Sequence, residues 1–174
     1  MLQPSWCTRR GGREVSPRTR AAGSGRAELG SGSPFRYLGG VQHRFPIRVR
    51  FYELDPYHHV NHAVYIQYFE AARIELLREA GKTLQGMMDD GVMIVVTDIS
   101  TRFLQSALGN DELVVETEVL EFKRVTSRWH QRLLRSGEVI VEQELGAAVT
   151  NLEGRPIRFP DDMVAMLRPY LAET

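Results

Sequence analysis

Apolar and polar residues alternate from Phe45 to Glu53, with Phe45, Ile47, Val49 and Phe51 on one side and Arg48, Arg50 and Tyr52 on the other. That period of two is the signature of a half-buried strand. A loop containing Pro56 follows, and Asn61 to Ala80 then runs without Gly or Pro and is apolar around most of a helix. Such a helix is expected to be covered on several sides, as a core helix is, with Asn61 as its N-cap and Gly81 closing its C-terminal end. After a short linker with Gly86 and Gly91, residues 92–104, 112–123, 126–136 and 138–150 read as four long strands. Their connections are short or turn-rich, among them Gly109-Asn110-Asp111 and Ser136-Gly137, which predicts sequential antiparallel pairing. A final amphipathic stretch, Asp161 to Leu171, predicts a short closing helix. The pattern is that of an α+β domain, a long antiparallel five-stranded sheet curled around a central helix.

Composition narrows what this domain can do. At 174 residues the chain holds one core plus any tail. Its 43% apolar and 25% charged residues are those of a water-soluble globular protein. No stretch approaches the roughly 18–20 apolar residues that cross a bilayer, so no membrane span is expected. The single cysteine, Cys7, excludes a disulfide framework or a thiolate metal site within the chain and suits a reducing, cytoplasmic setting. Zero net charge conceals an asymmetry. Residues 1–40 carry seven Arg against two Glu, leaving fifteen basic and twenty acidic residues in 41–174. An acidic body argues against nucleic acid as a partner, because neutralising phosphates needs a clustered basic face. Residues 1–40 are rich in Gly, Ser, Arg and Pro and are expected to be a disordered tail, either a non-native upstream extension or an organelle-targeting leader. The domain is expected to span 41–174.

One segment carries a motif. It reads Arg50-Phe51-Tyr52-Glu53-Leu54-Asp55-Pro56-Tyr57-His58-His59-Val60-Asn61-His62-Ala63-Val64-Tyr65 and continues with Tyr68, Glu70 and Arg73. This resembles the 4-hydroxybenzoyl-CoA thioesterase family, whose opening runs as an acidic residue, any residue and Asp, then a Gly or His step and Val-Asn ahead of a helix bearing Tyr, Glu and Ala-Arg. The resemblance extends over about residues 44–160, including Gly109-Asn110-Asp111-Glu112-Leu113 and the Glu153-Gly154-Arg155-Pro156 turn. Two positions depart from the pattern: the first acid, frequently Asp, is Glu53 here, and a common small Gly is His58.

The resemblance implies a hot-dog fold that hydrolyses an acyl-CoA thioester without a cofactor, as a homodimer or homotetramer whose sites are completed by the neighbouring subunit. It implies Asp55 as the catalytic carboxylate, either a general base on water or a nucleophile forming a mixed anhydride. The bland reading of Asp55-Pro56 is the start of a turn. The helix beginning near Asn61 presents free N–H groups and a partial positive charge to an incipient oxyanion, and the His62 amide matches the family's carbonyl-polarising donor. His59 is in register with the family's histidine and would orient the thioester or relay a proton. Asn61 and Tyr65 are candidate substrate contacts, although Tyr65, Tyr68 and Phe69 also read as core aromatics. Lys123, Arg124 and Arg128 near a strand turn are candidates for the CoA phosphates.

Three rival readings stand beside this one. His58, His59 and His62 could ligate a metal, though no fourth ligand is suggested. Glu70 could carry the catalytic carboxylate, as in a second branch of hot-dog thioesterases. The same fold could also serve as a non-catalytic acyl-CoA or acyl-carrier-protein binding module.

Overall fold

The computed structural model describes residues 42–172. The expected disordered tail lies outside the described residues. Five strands, β1 (His43–Arg48), β2 (Met93–Phe103), β3 (Glu112–Phe122), β4 (Thr126–Arg135) and β5 (Glu138–Thr150), form one antiparallel sheet. Three helices accompany it: α1 (His62–Glu79), α2 (Leu84–Asp89) and α3 (Asp161–Leu167). This is the expected α+β hot-dog architecture. No helix among the described residues is long and apolar enough to cross a membrane.

The order across the sheet is β1-β3-β4-β5-β2. Sequential pairing therefore holds for β3-β4-β5 but fails for β2, which crosses to the far edge and pairs with β5 from Met93↔Thr150 to Phe103↔Val141. The eight-residue link from Leu104 to Asp111 is too long for a tight hairpin, so nothing local obliges β2 to pair with β3. Strand β1 also differs from expectation, covering His43–Arg48 and giving way to a 3-10 turn over Phe51–Glu53. Alternation breaks at Phe51, which is 85% exposed. The Glu53 carboxylate folds back onto the Arg50 amide (2.6 Å) and draws the chain into that turn. Pro46 is tolerated inside β1 because β1 is an edge strand.

Helix α1 follows its sequence signals. The Asn61 side chain accepts from the Ala63 amide, and Gly81 takes φ +103° just beyond the C-cap. Tyr65, Tyr68, Phe69, Ala72, Leu76 and Leu77 form its buried face. Burying a side chain as completely as Phe69 or Leu76 stabilises by about 1.5–3 kcal/mol. Within one chain the helix is nevertheless not covered all round, since Ala63, Glu70, Ala71 and Ile74 remain exposed. Gln131 of β4, fully buried under α1, donates to the Phe69 carbonyl (2.9 Å) and to Thr117 Oγ1 (3.0 Å), tying helix to sheet with a satisfied polar group. The segment expected to be a linker contains α2, capped by Thr83 Oγ1 accepting from the Gly86 amide (3.0 Å). The low helix propensity of Gly86 conceals it in sequence.

Candidate active site

The loop joining β1 to α1 is held at both ends by Glu53. Its buried carboxylate accepts from the Arg50 amide and from the Tyr68 hydroxyl (2.5 Å), and its carbonyl accepts from the Asn61 amide (2.9 Å). Burial and the Glu53 carboxylate both push the Tyr68 hydroxyl well above the usual phenol range, so it remains a neutral donor. The family's first acid is thus a structural clamp in this chain.

Inside the clamp, Leu54 and Val60 bridge in antiparallel fashion, the Asp55 amide donates to the His59 carbonyl (2.8 Å), and the His58 amide donates to the Asp55 carbonyl (3.0 Å). That is the bonding pattern of a type I turn followed by a one-residue bulge, with Pro56 at its favoured second position. The bulge residue must be left-handed, and His58 is so, at φ +64°. This explains why glycine is common there in the family. We expect His58→Gly to be tolerated and His58→Val to destabilise by about 1–2 kcal/mol, because a β-branched residue is strained in that region. Urea midpoints that do not separate the two variants would contradict this account of the loop.

The bland reading of Asp55 as a turn former accounts for half of its side chain. Oδ1 accepts from the amides of Tyr57 (2.8 Å) and His59 (3.2 Å), whereas Oδ2 has no partner among the described residues. At the start of α1 the Ala63 amide is taken by Asn61 Oδ1 and the Val64 amide by the Asn61 carbonyl. The His62 amide is left without an acceptor among the described residues. The loop therefore combines a rigidly held carboxylate with one open oxygen and a helix start with one open N–H. The His59 backbone bridges to Leu108, and the Val60 amide donates to the Ala107 carbonyl (2.9 Å), which fixes the loop against the segment after β2.

The other sequence candidates are distributed differently. Asn61 serves as the helix cap. Tyr65 is buried, its hydroxyl accepting from the Ala107 amide (2.9 Å), and desolvation raises its pKa above the ordinary phenol value. The side chains of His58, His59 and His62 are exposed, and no group of three or more His, Cys, Asp or Glu among the described residues is gathered so as to hold a metal ion. Lys123 and Arg124 sit at the β3–β4 turn, about 30 Å along β3 from its start beside the Asp55 loop. Lys123 pairs there with Glu121, while Arg128 pairs with Asp98 and Glu144. A single chain does not bring these three cations to Asp55. Sequence reasoning missed the Glu53–Tyr68 contact and the anchoring of the 104–111 segment, where Arg135 donates to the Ser106 carbonyl and to Asp111 Oδ2, both at 3.0 Å. Glu53 lies fifteen residues from Tyr68 and Arg135 twenty-four from Asp111, beyond the reach of any local pattern.

Comparison with known proteins places the family and the fold. A family model described as the Thioesterase-like superfamily matches residues 49–167. The acyl-CoA thioesterase YbgC of Haemophilus influenzae is 33% identical over 123 residues, covering 70% of this chain and 90% of that protein. The chloroplastic acyl-acyl carrier protein thioesterase ATL3 of Arabidopsis thaliana is 25% identical over 133 residues, covering 75% of this chain and 70% of that protein. The crystal structure of a probable thioesterase from Bartonella henselae superposes with a TM-score of 0.66 at 26% identity, covering 69% of this chain and all of that one. The resemblance read from the Glu53–Arg73 motif is sustained at the level of the superfamily: this chain belongs to the Thioesterase-like superfamily.

Proposed function

We propose that this chain hydrolyses an acyl-CoA thioester to the free acid and CoA, with Asp55 and the His62 amide as the reacting groups. The observation that carries this reading is that two hydrogen-bonding groups, Asp55 Oδ2 and the His62 N–H, are left without a partner among the described residues at the ends of one clamped loop. The thioester carbonyl oxygen accepts from the His62 amide, where the helix dipole favours the charge that develops on it. Asp55 Oδ2 either takes a proton from water as that water attacks the carbonyl carbon, or attacks the carbon itself to give a mixed anhydride that water then cleaves. In both routes the C–S bond breaks and the thiolate leaves with the electron pair, acquiring a proton from solvent or from His59. The YbgC relative, named an acyl-CoA thioesterase, supports CoA as the carrier.

The protein acts as a homodimer or homotetramer in this reading. Two features support it: the Asp55 loop is open to solvent within one chain, and the edge strand β2 exposes Val95, Val96, Ile99 and Phe103, an apolar edge that a second copy would cover. The partner would also bring its own Lys123, Arg124 and Arg128 to the assembly as CoA phosphate contacts. Purified protein is expected to release CoA from at least one member of an aliphatic and aromatic acyl-CoA panel and to scatter light as an oligomer. Release of no CoA, combined with ligand-dependent melting, would assign it instead as a binding module. A monomer would remove the shared site.

A further inference from the structure

A cavity of about 200 Å³ lies between α1, α2 and the sheet, walled by Ile74, Leu77, Leu84, Ile94, Trp129 and Leu145. Arg73 and Glu70 also line it. The guanidinium of Arg73 is out of place in such a wall. It donates from Nη1 to Gln131 Oε1 (2.5 Å), and no carboxylate among the described residues forms an ion pair with it. Gln131 is itself held by Phe69, Thr117 and Gln143, so Arg73 is fixed by a buried amide network rather than by an anion. Desolvation pushes its pKa down to about 10, with the Glu70 carboxylate opposing that shift in part. The remaining nitrogens have no hydrogen-bond partner among the described residues and are not fully buried. Glu70 is solvent-exposed, and its charge is correspondingly screened.

The α1 residues that line the cavity share a helix face with His62. Residues 62, 66, 70, 73, 74 and 77 recur at intervals of three and four and share one face of α1. Along that face Arg73 lies about 16 Å down the axis from His62. A short acyl group seated at the His62 amide stops well before Arg73, whereas an extended medium-length chain covers most of the distance and the Arg73 side chain, leaning toward the start of α1, spans the rest.

Building on the placement of the thioester at Asp55 and His62, we propose that this cavity receives the far end of the acyl chain and that Arg73 selects medium-chain dicarboxylic acyl thioesters by binding the distal carboxylate. A guanidinium offers only donors, in a fork that matches a carboxylate. A methyl terminus offers no acceptor to the guanidinium nitrogens that Gln131 leaves free, whereas a carboxylate does.

The test compares kcat/KM of the full chain for sebacoyl-CoA, decanoyl-CoA and ω-hydroxydecanoyl-CoA, which share a chain length and differ at the tip. Sebacoyl-CoA is expected to exceed decanoyl-CoA by about tenfold or more, the effect of a charge-assisted bond. The ratio should collapse in Arg73→Met and be partly kept in Arg73→Lys. Free sebacate should also inhibit the wild-type enzyme more strongly than decanoate, a measurement that stands even if the variants fail to fold. Hydrolysis of decanoyl-CoA at equal or higher efficiency, a preference for the hydroxyl tip, or a sebacoyl preference that survives in Arg73→Met overturns this inference alone. Failure to hydrolyse any of the three overturns this inference, and the thioesterase reading falls with it only if the wider aliphatic and aromatic panel also releases no CoA.

Discussion

Asp55→Asn is expected to lower kcat for thioester hydrolysis by about a hundred- to ten-thousand-fold while leaving the protein folded. The magnitude is that of losing a positioned general base, and a nucleophile would cost at least as much. Folding survives because the work Asp55 does in the loop belongs to Oδ1, which accepts from Tyr57 and His59, and an asparagine carbonyl oxygen accepts from the same two amides. The open Oδ2 becomes an amide nitrogen that can neither take a proton from water nor attack a carbonyl. Asp55→Ala would remove the loop bonds as well and confound the two roles, so asparagine is the informative change. CoA release followed with a thiol reagent, alongside a melting curve, checks both halves. Wild-type turnover in the asparagine variant would move the chemistry to another carboxylate, and Glu70 on α1 would be the next to test.

The second large effect concerns stability. Glu53→Ala should cost about 2–3 kcal/mol, because it strips the Tyr68 hydroxyl and the Arg50 amide of a common acceptor in a buried setting. For a domain of this size that is a melting temperature lower by roughly 10 °C. Tyr68→Phe should cost less, about 1–2 kcal/mol, since the Glu53 carboxylate keeps the Arg50 amide and guanidinium. The double variant should fall short of the sum, because both changes delete the same contact. Full additivity in chemical denaturation would mean that the two side chains act separately and that the loop is held by its backbone bonds alone. Activity should fall in Glu53→Ala as well, since the clamp aligns Asp55 with the start of α1.

The resemblance to a thioesterase family rested on a continuous run of residues, and the structure gives several members of that run a distinct task. Asn61 caps α1, Pro56 and Asp55 build the turn, and His58 occupies the left-handed bulge position where the family often has glycine. The departure at His58 therefore marks a strained backbone position within the turn. The departure at Glu53 is equally physical, as its carboxylate reaches both the Arg50 amide and Tyr68. Neither assignment was legible beforehand, because each depends on a φ angle or a partner that a motif does not display.

What the amino-acid sequence determined by itself was whatever depends on near neighbours in the chain. Period two marked β1, long runs between turn residues marked β2 to β5, the Asn61 cap and Gly81 delimited α1, and the Asp-Pro turn placed Asp55 at the head of a helix. What only the tertiary structure decided was which of these surfaces meet. It carried β2 across to β5 in place of β3, ended β1 at Arg48 with a 3-10 turn behind it, joined Glu53 to Tyr68, and set Arg73 on Gln131, fifty-eight residues away, in the wall of an apolar cavity. The division has a single cause: backbone propensity and amphipathic period act over a few residues, whereas strand partner and buried polar contact follow from how the whole apolar surface is covered at once.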